Sequence, residues 1–369
     1  MKSIKWIVTD SYIIGKTKED DLKNKKIASF DLDDTIIKPL DGQKYSKGDD
    51  DWELYNQKVV QNINDYSKKG FSIVIISNQK GISRGQIKIE DWQNKIQKII
   101  NLLDKDIYIF CAIKDDMYRK PRTGLWDKFI KGNLKDSFFC GDAGGLPKRT
   151  INGVDLNKDF SDSDVKFALN LGIKFIHRDA FIFGAENKYN ISYPVNFTQL
   201  KKIDQKFEPS TFQEVIINVG LPASGKSTFT KDYILPNNYE CINQDTLKTK
   251  QKCVKLFKEL LQNGKSIVVD NTNMSKDSRK TFIDICKQKN IKVRCLLFTT
   301  DKNICQHNSY YRNYITENNV QIIPSMVYNM MNKKYEKPEL NEGFYKVEEI
   351  GFSYDLNNKE KEVYKRFYF

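Results

Sequence analysis

The chain has 369 residues, 30% of them charged and 39% hydrophobic, a globular balance sized for about two domains. It carries a formal net charge of +13 and only two histidines, His177 and His307. That scarcity disfavours a Ser-His-Asp triad, a histidine metal cluster or phosphohistidine chemistry, and leaves the work to carboxylates, lysines, hydroxyls and backbone amides.

Seven cysteines with no C-x-x-C pair argue against a disulfide framework or zinc ribbon and for a reducing, intracellular setting, with nucleus or cytoplasm open. The apolar runs are strand-sized, so no membrane span is expected, and the first residues lack signal-peptide grammar. The positive excess is scattered lysine. It reads either as a solvated surface or as the footprint of a polyanion partner, whose phosphates would release counterions on binding.

In chain order, an apolar strand in Lys25–Thr35 runs straight into an acidic loop. Further strands are predicted at Phe71–Asn78, Asp106–Ile113 and Asp136–Asp142, each after a helix-like stretch. Strands alternating with helical patterns imply parallel βαβ units. From about Glu186 to Gln213 the rhythm breaks around Pro194 and Pro209, and a domain boundary is expected near Asp204–Thr211, dividing the chain into residues 1–207 and 208–369. A second strand-into-loop unit then opens at Glu214–Thr228. It is followed by a helix-like Cys253–Asn263 and strands at Ser266–Asp270 and Val293–Phe298. Both halves read as α/β.

The second loop, from Gly220 through Ser224 and Gly225 to Lys226, Ser227 and Thr228, fits G-x-x-x-x-G-K-S/T between a buried strand and a helical pattern. Its backbone amides would cradle phosphates at a helix N-terminus. Lys226 would reach the β- and γ-phosphates of ATP, and Ser227 would bind Mg²⁺. Asp270, at a strand end, could help organise Mg²⁺ or the nucleophile; a hydroxyl acceptor needs a carboxylate beside it, and either Asp245 or Asp270 could be that base.

In the first loop, Asp31 and Asp33 stand at i and i+2 at a strand end, on one face if the chain stays extended. Asp31 could then attack phosphorus while Asp33 protonates the leaving oxygen and later activates water, and both are expected to help hold the Mg²⁺ that offsets the repulsion between carboxylate and phosphate.

The string Asp31-Leu32-Asp33-Asp34-Thr35 resembles the D-x-D-x-T motif of the haloacid dehalogenase superfamily. The later motifs follow in order, with Ser77 matching the hydroxyl, Lys120 the phosphate-neutralising lysine and Asp142 a metal-binding acid. Asp159, Asp162 and Asp164 compete for the second acid of that last motif, with Asp164 favoured. By the same resemblance, an acid at the position of Asp33 goes with hydrolysis.

Longer strings are similar to the polynucleotide kinase 3'-phosphatase family over nearly the whole chain. They include Ser77-Asn78-Gln79, Tyr118–Asp127, Cys140–Gly145, Asp159–Phe175, the phosphate loop, Asn243–Leu247 and Gly343–Phe352. The resemblance implies two Rossmann-like domains, a haloacid dehalogenase-type phosphatase followed by a P-loop kinase with a parallel sheet. It also implies Mg²⁺-dependent removal of 3'-phosphates and ATP-dependent phosphorylation of 5'-hydroxyls. Asp245 then matches the kinase base, Asp270 a strand-end acid, and Arg312 a lid arginine near ATP. The expected partners are nucleic-acid ends, DNA ahead of RNA, with no membrane and a monomeric chain. The phosphatase motif arrives by residue 31, so docking through a phosphopeptide-binding FHA domain is not expected.

Two departures stand in the kinase half. Gln244 and Tyr310 replace arginines common in the family. They motivate an alternative, a working phosphatase tethered by a weakened kinase half. A fused small-molecule phosphatase and kinase is a further alternative. Trp52, Trp92 and Trp126 read as base-stacking or core residues, and His307 as structural.

Overall fold

A computed structural model describes residues 2–40 and 48–369. The chain packs as two compact units. The first runs to Tyr193 and takes in Asn313–Val320 and Arg366–Phe369; the second comprises Pro194–Arg312 and Gln321–Lys365. The division falls earlier than the expected 207/208 because residues 201–207 attach to the second unit. Tyr354 N donates to Lys201 O (2.9 Å), Ile203 N to Ser353 Oγ (3.0 Å) and Gln205 Nε2 to Gly351 O (2.6 Å). Phe207 also packs its ring edge on Tyr239.

The first unit is built on strands β1 (Lys5–Val8), β2 (Tyr12–Lys16), β3 (Ile27–Phe30), β4 (Ser72–Asn78), β5 (Ile107–Ala112), β6 (Phe138–Gly141) and β7 (Lys174–His177). They form one sheet in the order β1-β2-β5-β4-β3-β6-β7. The inner strands are parallel, and β1 and β2 add an antiparallel hairpin at one edge. Helices cover both faces, which is why the inner strands are apolar throughout rather than alternating. Ala28, Phe30, Ile73, Ile75, Ile107 and Ile109 enter one core, and Ile27, Val74, Ile76, Tyr108 and Phe110 enter the other. Helix α1 (Ile89–Leu103) buries Trp92, Lys95, Ile96, Ile99, Ile100 and Leu103 at helical spacing, each apolar side chain contributing about 1.5–3 kcal/mol.

The second unit repeats the plan with β8 (Glu214–Val219), β9 (Tyr239–Ile242), β10 (Ser266–Val269), β11 (Lys292–Phe298) and β12 (Phe344–Ile350). The sheet is wholly parallel, in the order β9-β10-β8-β11-β12. The α/β assignment of both halves therefore holds, and so does the parallel sheet of the second. The strands β1, β2, β7, β9 and β12 were not anticipated.

Because these strands run parallel, their carboxyl ends share one edge of each sheet, where α/β folds place ligands. Asp31, Ser77 and Asp142 lie at the ends of β3, β4 and β6, whereas Gly220 and Asp270 follow β8 and β10.

Arg279 supports the loop after β10 from below. It is fully buried, donates to both carboxylate oxygens of Glu342 (2.8 and 2.7 Å) and reaches Asn273 O (3.0 Å). Arg279→Met leaves Glu342 without its partner and is expected to lower stability by about 3–5 kcal/mol, measured by urea unfolding.

Two candidate active sites

In the first unit, the Asp31 amide donates to Cys140 O (2.8 Å), which pins the end of β3 to β6. The chain turns at once through Asp34, held at φ 55°. Buried Lys120 reaches Asp31 Oδ1 at 2.5 Å and Asp164 Oδ1 at 2.8 Å. Asn78 fixes the lysine's backbone from both sides, donating to Lys120 O (3.1 Å) and accepting from Lys120 N (3.0 Å).

Carboxylate oxygens of Asp31, Asp142 and Asp164 lie within 4.8 Å of one another. Burial raises the Asp31 carboxyl above its ordinary range, against the pull of Lys120 and with help from Asp164 and Asp33. Asp142 is raised as well, by burial and then by Asp164 and Asp31. One lysine does not neutralise this crowd. An all-oxygen donor set with surplus negative charge fits a hard divalent cation such as Mg²⁺.

Asp164 approaches because residue 141 is glycine: a Cβ there would fall 2.1 Å from Asp164 Oδ2. Its two rivals are engaged elsewhere. Asp159 binds His177 Nε2 (3.1 Å), Arg149 (2.9 Å) and the amides of Gly144 and Leu146. Asp162 pairs with Lys166 (2.8 Å) and the Ser192 amide (2.9 Å).

Thr35 Oγ1 donates to Asp142 Oδ1 (3.3 Å). Gln79 Nε2 donates to Asp33 Oδ2 (2.5 Å) and to Ser77 Oγ (2.8 Å). The Ser77 hydroxyl proton therefore remains available to a phosphate oxygen. Asp33 opens to solvent at the mouth of this cleft, yet the surrounding protein still raises its carboxyl, opposed by the Gln79 hydrogen bond and by Lys95 and Lys120.

Gln79 received no role from the sequence, although period-2 spacing from Ser77 on an extended strand could have marked it. Arg178 was missed for lack of any signal. It donates to Asp34 O (2.8 Å) and pairs with Asp179, holding the turn after Asp33.

In the second unit the phosphate loop closes over its own lysine. Lys226 Nζ donates to Gly220 O (3.0 Å), Leu221 O (2.5 Å) and Ser224 Oγ (3.2 Å), and burial brings its pKa down to about 8. Gly225, at φ 98°, makes the turn into the helix that begins at Lys226, with Ser227 and Thr228 exposed on its first turn. The Gly220 amide donates to Thr272 O (3.0 Å), Thr300 Oγ1 to Ser224 O (2.8 Å) and Asn308 Nδ2 to Ala223 O (2.9 Å). A glycine-containing loop at a helix start, wrapped around a buried cation, suits a polyphosphate.

Buried Asp270 accepts from Asn218 Nδ2 (3.1 Å). Asp245 is exposed on the short helix that starts at Gln244, and the charges of Asp270, Arg312 and Asp245 all act on Lys226. Burial lowers the pKa of Arg312. Lys226 thus lies within electrostatic reach of Asp245, Asp270 and Arg312.

Tyr310 is buried, and Gln244 is exposed with its amide on Asn271 Oδ1 (2.9 Å). Trp92 and Trp126 are core residues, and Trp52 Nε1 donates to Asp49 O (3.0 Å). His307 is buried against Tyr364 O (2.7 Å), with its pKa lowered to about 3 by burial, so it stays neutral.

A haloacid dehalogenase-type carboxylate cleft and a P-loop cradle on two α/β units define a fused phosphatase and kinase of those fold classes. Residues 26–182 match the polynucleotide kinase 3 phosphatase family and residues 215–338 match an AAA domain family. A Schizosaccharomyces pombe bifunctional polynucleotide phosphatase/kinase is 37% identical over 95% of this chain and 85% of its own. An Acanthamoeba polyphaga mimivirus protein whose name gives the same pair of activities is 35% identical over 99% of this chain and 94% of its own. A Saccharomyces cerevisiae polynucleotide 3'-phosphatase is 26% identical over 43% of this chain. The chain belongs to the bifunctional polynucleotide phosphatase/kinase family.

Asp164→Asn is expected to weaken Mg²⁺ binding to the first unit by about tenfold or more, whereas Asp162→Asn leaves it unchanged. Isothermal titration of the two variants separates them.

Proposed function

We propose that this protein heals polynucleotide ends, removing a 3'-phosphate at the first site and adding a phosphate to a 5'-hydroxyl at the second. The observation that supports the reading is the pair of phosphate-handling clusters, in one chain that aligns over 95% of its length with a relative named for both activities.

At the first site Asp31 Oδ attacks the 3'-phosphate, and the bond from phosphorus to the sugar oxygen breaks. Asp33 gives that oxygen its proton, releasing a 3'-hydroxyl and leaving an acyl phosphate on Asp31. Asp33, now a carboxylate, takes a proton from the water that attacks phosphorus, and inorganic phosphate leaves. The raised Asp33 carboxyl suits a group that must start as an acid. Lys120 and Ser77 hold the phosphate oxygens. Asp31, Asp142 and Asp164 are the residues that would hold Mg²⁺, which would supply charge neutralisation between carboxylate and phosphate.

At the second site ATP lies on the phosphate loop, with Lys226 and Arg312 against its transferring end. Asp245 accepts the proton of the 5'-hydroxyl as that oxygen takes the γ-phosphoryl group and ADP leaves. Ser227 and Asp270 are the residues that would hold the accompanying Mg²⁺.

DNA is the favoured substrate ahead of RNA, and the net charge of +13 supports a polyanion partner. All seven cysteines are free, which supports a reducing intracellular compartment. Among the described residues no helix is long and apolar enough to cross a membrane.

Oligonucleotides of DNA and RNA bearing a 5'-hydroxyl and a 3'-phosphate test the reading, with products resolved by gel and mass spectrometry. Asp31→Asn is expected to abolish 3'-phosphate removal and spare 5'-phosphorylation. Lys226→Ala is expected to do the reverse. A wild type that turns over neither end contradicts the proposal. In a separate series, KM for the oligonucleotide should rise steeply with salt, because each phosphate contact costs about one released counterion in the log–log slope.

A further inference from the structure

We propose that Asn243 is a positioning residue of the kinase reaction, its carboxamide fixing the acceptor's base to the strand-end acid. The inference rests on the reading of the second site as a 5'-hydroxyl kinase and adds to it a residue with no assigned role.

Asn243 follows the last residue of β9, so it stands at the carboxyl edge of the sheet. Its Oδ1 accepts from the amides of Asp245 (2.8 Å) and Thr246 (3.3 Å), capping the short helix that carries Asp245. Its Nδ2 points the other way, to Asp270 O at 2.7 Å, with Asp270 Oδ2 at 3.5 Å. One planar group therefore spans the two carboxylate-bearing segments, as acceptor toward one and donor toward the other.

A cap alone needs only the oxygen. Serine or aspartate would serve as well, and neither would supply the amide donor that faces Asp270. The loop that receives this donor is itself tied to the phosphate cradle, through Gly220 N to Thr272 O (3.0 Å) and Asn273 Nδ2 to Asn218 O (2.8 Å). A second side-chain tie between the two segments is Asn271 Oδ1, accepting from Gln244 N (2.9 Å). Asp245 is exposed on a single turn of helix. Leu247 anchors that turn on the core and Asp270 N donates to Ile242 O (2.9 Å), while these side-chain amides set how the exposed Asp245 end sits against the cradle. A reacting group displaced by about 1 Å loses on the order of a hundredfold in rate.

The test uses the full chain with ATP and a 5'-hydroxyl oligonucleotide, and takes 3'-phosphatase activity of the same preparation as the control for folding. Asn243→Ser and Asn243→Asp both keep a capping oxygen and lose the donor. They are expected to lower kinase kcat about tenfold to a hundredfold, with KM for ATP within about twofold and phosphatase activity unchanged. Kinase kcat at the wild-type level in both variants would assign Asn243 to capping alone and overturn the proposal. A rise in KM for ATP with kcat preserved would overturn it too. A wild type with phosphatase but no kinase activity would instead refute the reading of the second site, and the proposal with it.

Discussion

The first unit turns on an electrostatic conflict. Three carboxylates, Asp31, Asp142 and Asp164, are forced within reach of one cation, and Lys120 is bonded to two of them. Buried like charges raise one another's proton affinity, and both Asp31 and Asp142 are raised. The surrounding structure is arranged to hold this unfavourable group in place. Asn78 grips the Lys120 backbone, Gly141 lets Asp164 approach, and the His177–Asp159–Arg149 cluster braces the loop after Asp142. A site strained by surplus negative charge binds a divalent cation and a phosphate together better than either alone, which is the chemistry of a metal-assisted carboxylate nucleophile.

The second unit solves the opposite problem. It holds a buried cation, Lys226, with neutral carbonyls and a hydroxyl, and burial lowers the proton affinity of that amine. A polyphosphate would supply the missing negative charge. Both sites therefore hold a charge that their surroundings offset only in part, at the carboxyl edge of a parallel sheet and of opposite sign, and each sign suits a different partner in phosphoryl transfer.

Much of this was legible in the sequence because the groups lie at strand ends, where a buried apolar run stops abruptly. Asp31 and Asp33, Ser77, Asp142, the phosphate loop and Asp270 all follow such runs, and a parallel α/β sheet gathers such ends at one edge. The choice of Asp164 over Asp159 and Asp162 was not decidable from spacing. It depends on which acid meets arginine and histidine, and on the gap left by Gly141.

Other features left weaker traces or none. Arg178 acts through a backbone carbonyl, a contact that no residue pattern announces. Strands β7 and β9 are four residues each with mixed exposure, and β12 exposes much of its length, so no apolar run marks them. Residues 201–207 were assigned to the first domain, at the end of a stretch where the strand–helix rhythm breaks, yet they are tied to the second unit by backbone and side-chain hydrogen bonds. Gln244 and Tyr310 drew notice as departures. The structure buries the side chain of one and leaves the other at the surface beside Asp245.

The central claim is that the carboxylate crowd makes Asp31 a nucleophile toward phosphorus. Trapping the covalent intermediate tests it most directly. With Asp33→Asn to slow hydrolysis, a 3'-phosphate oligonucleotide and Mg²⁺ are mixed, quenched in acid and digested for peptide mass spectrometry. A phosphoryl group on Asp31, labile to hydroxylamine, is the result this account predicts. Release of phosphate in the first turnover with Asp31 never modified would contradict it.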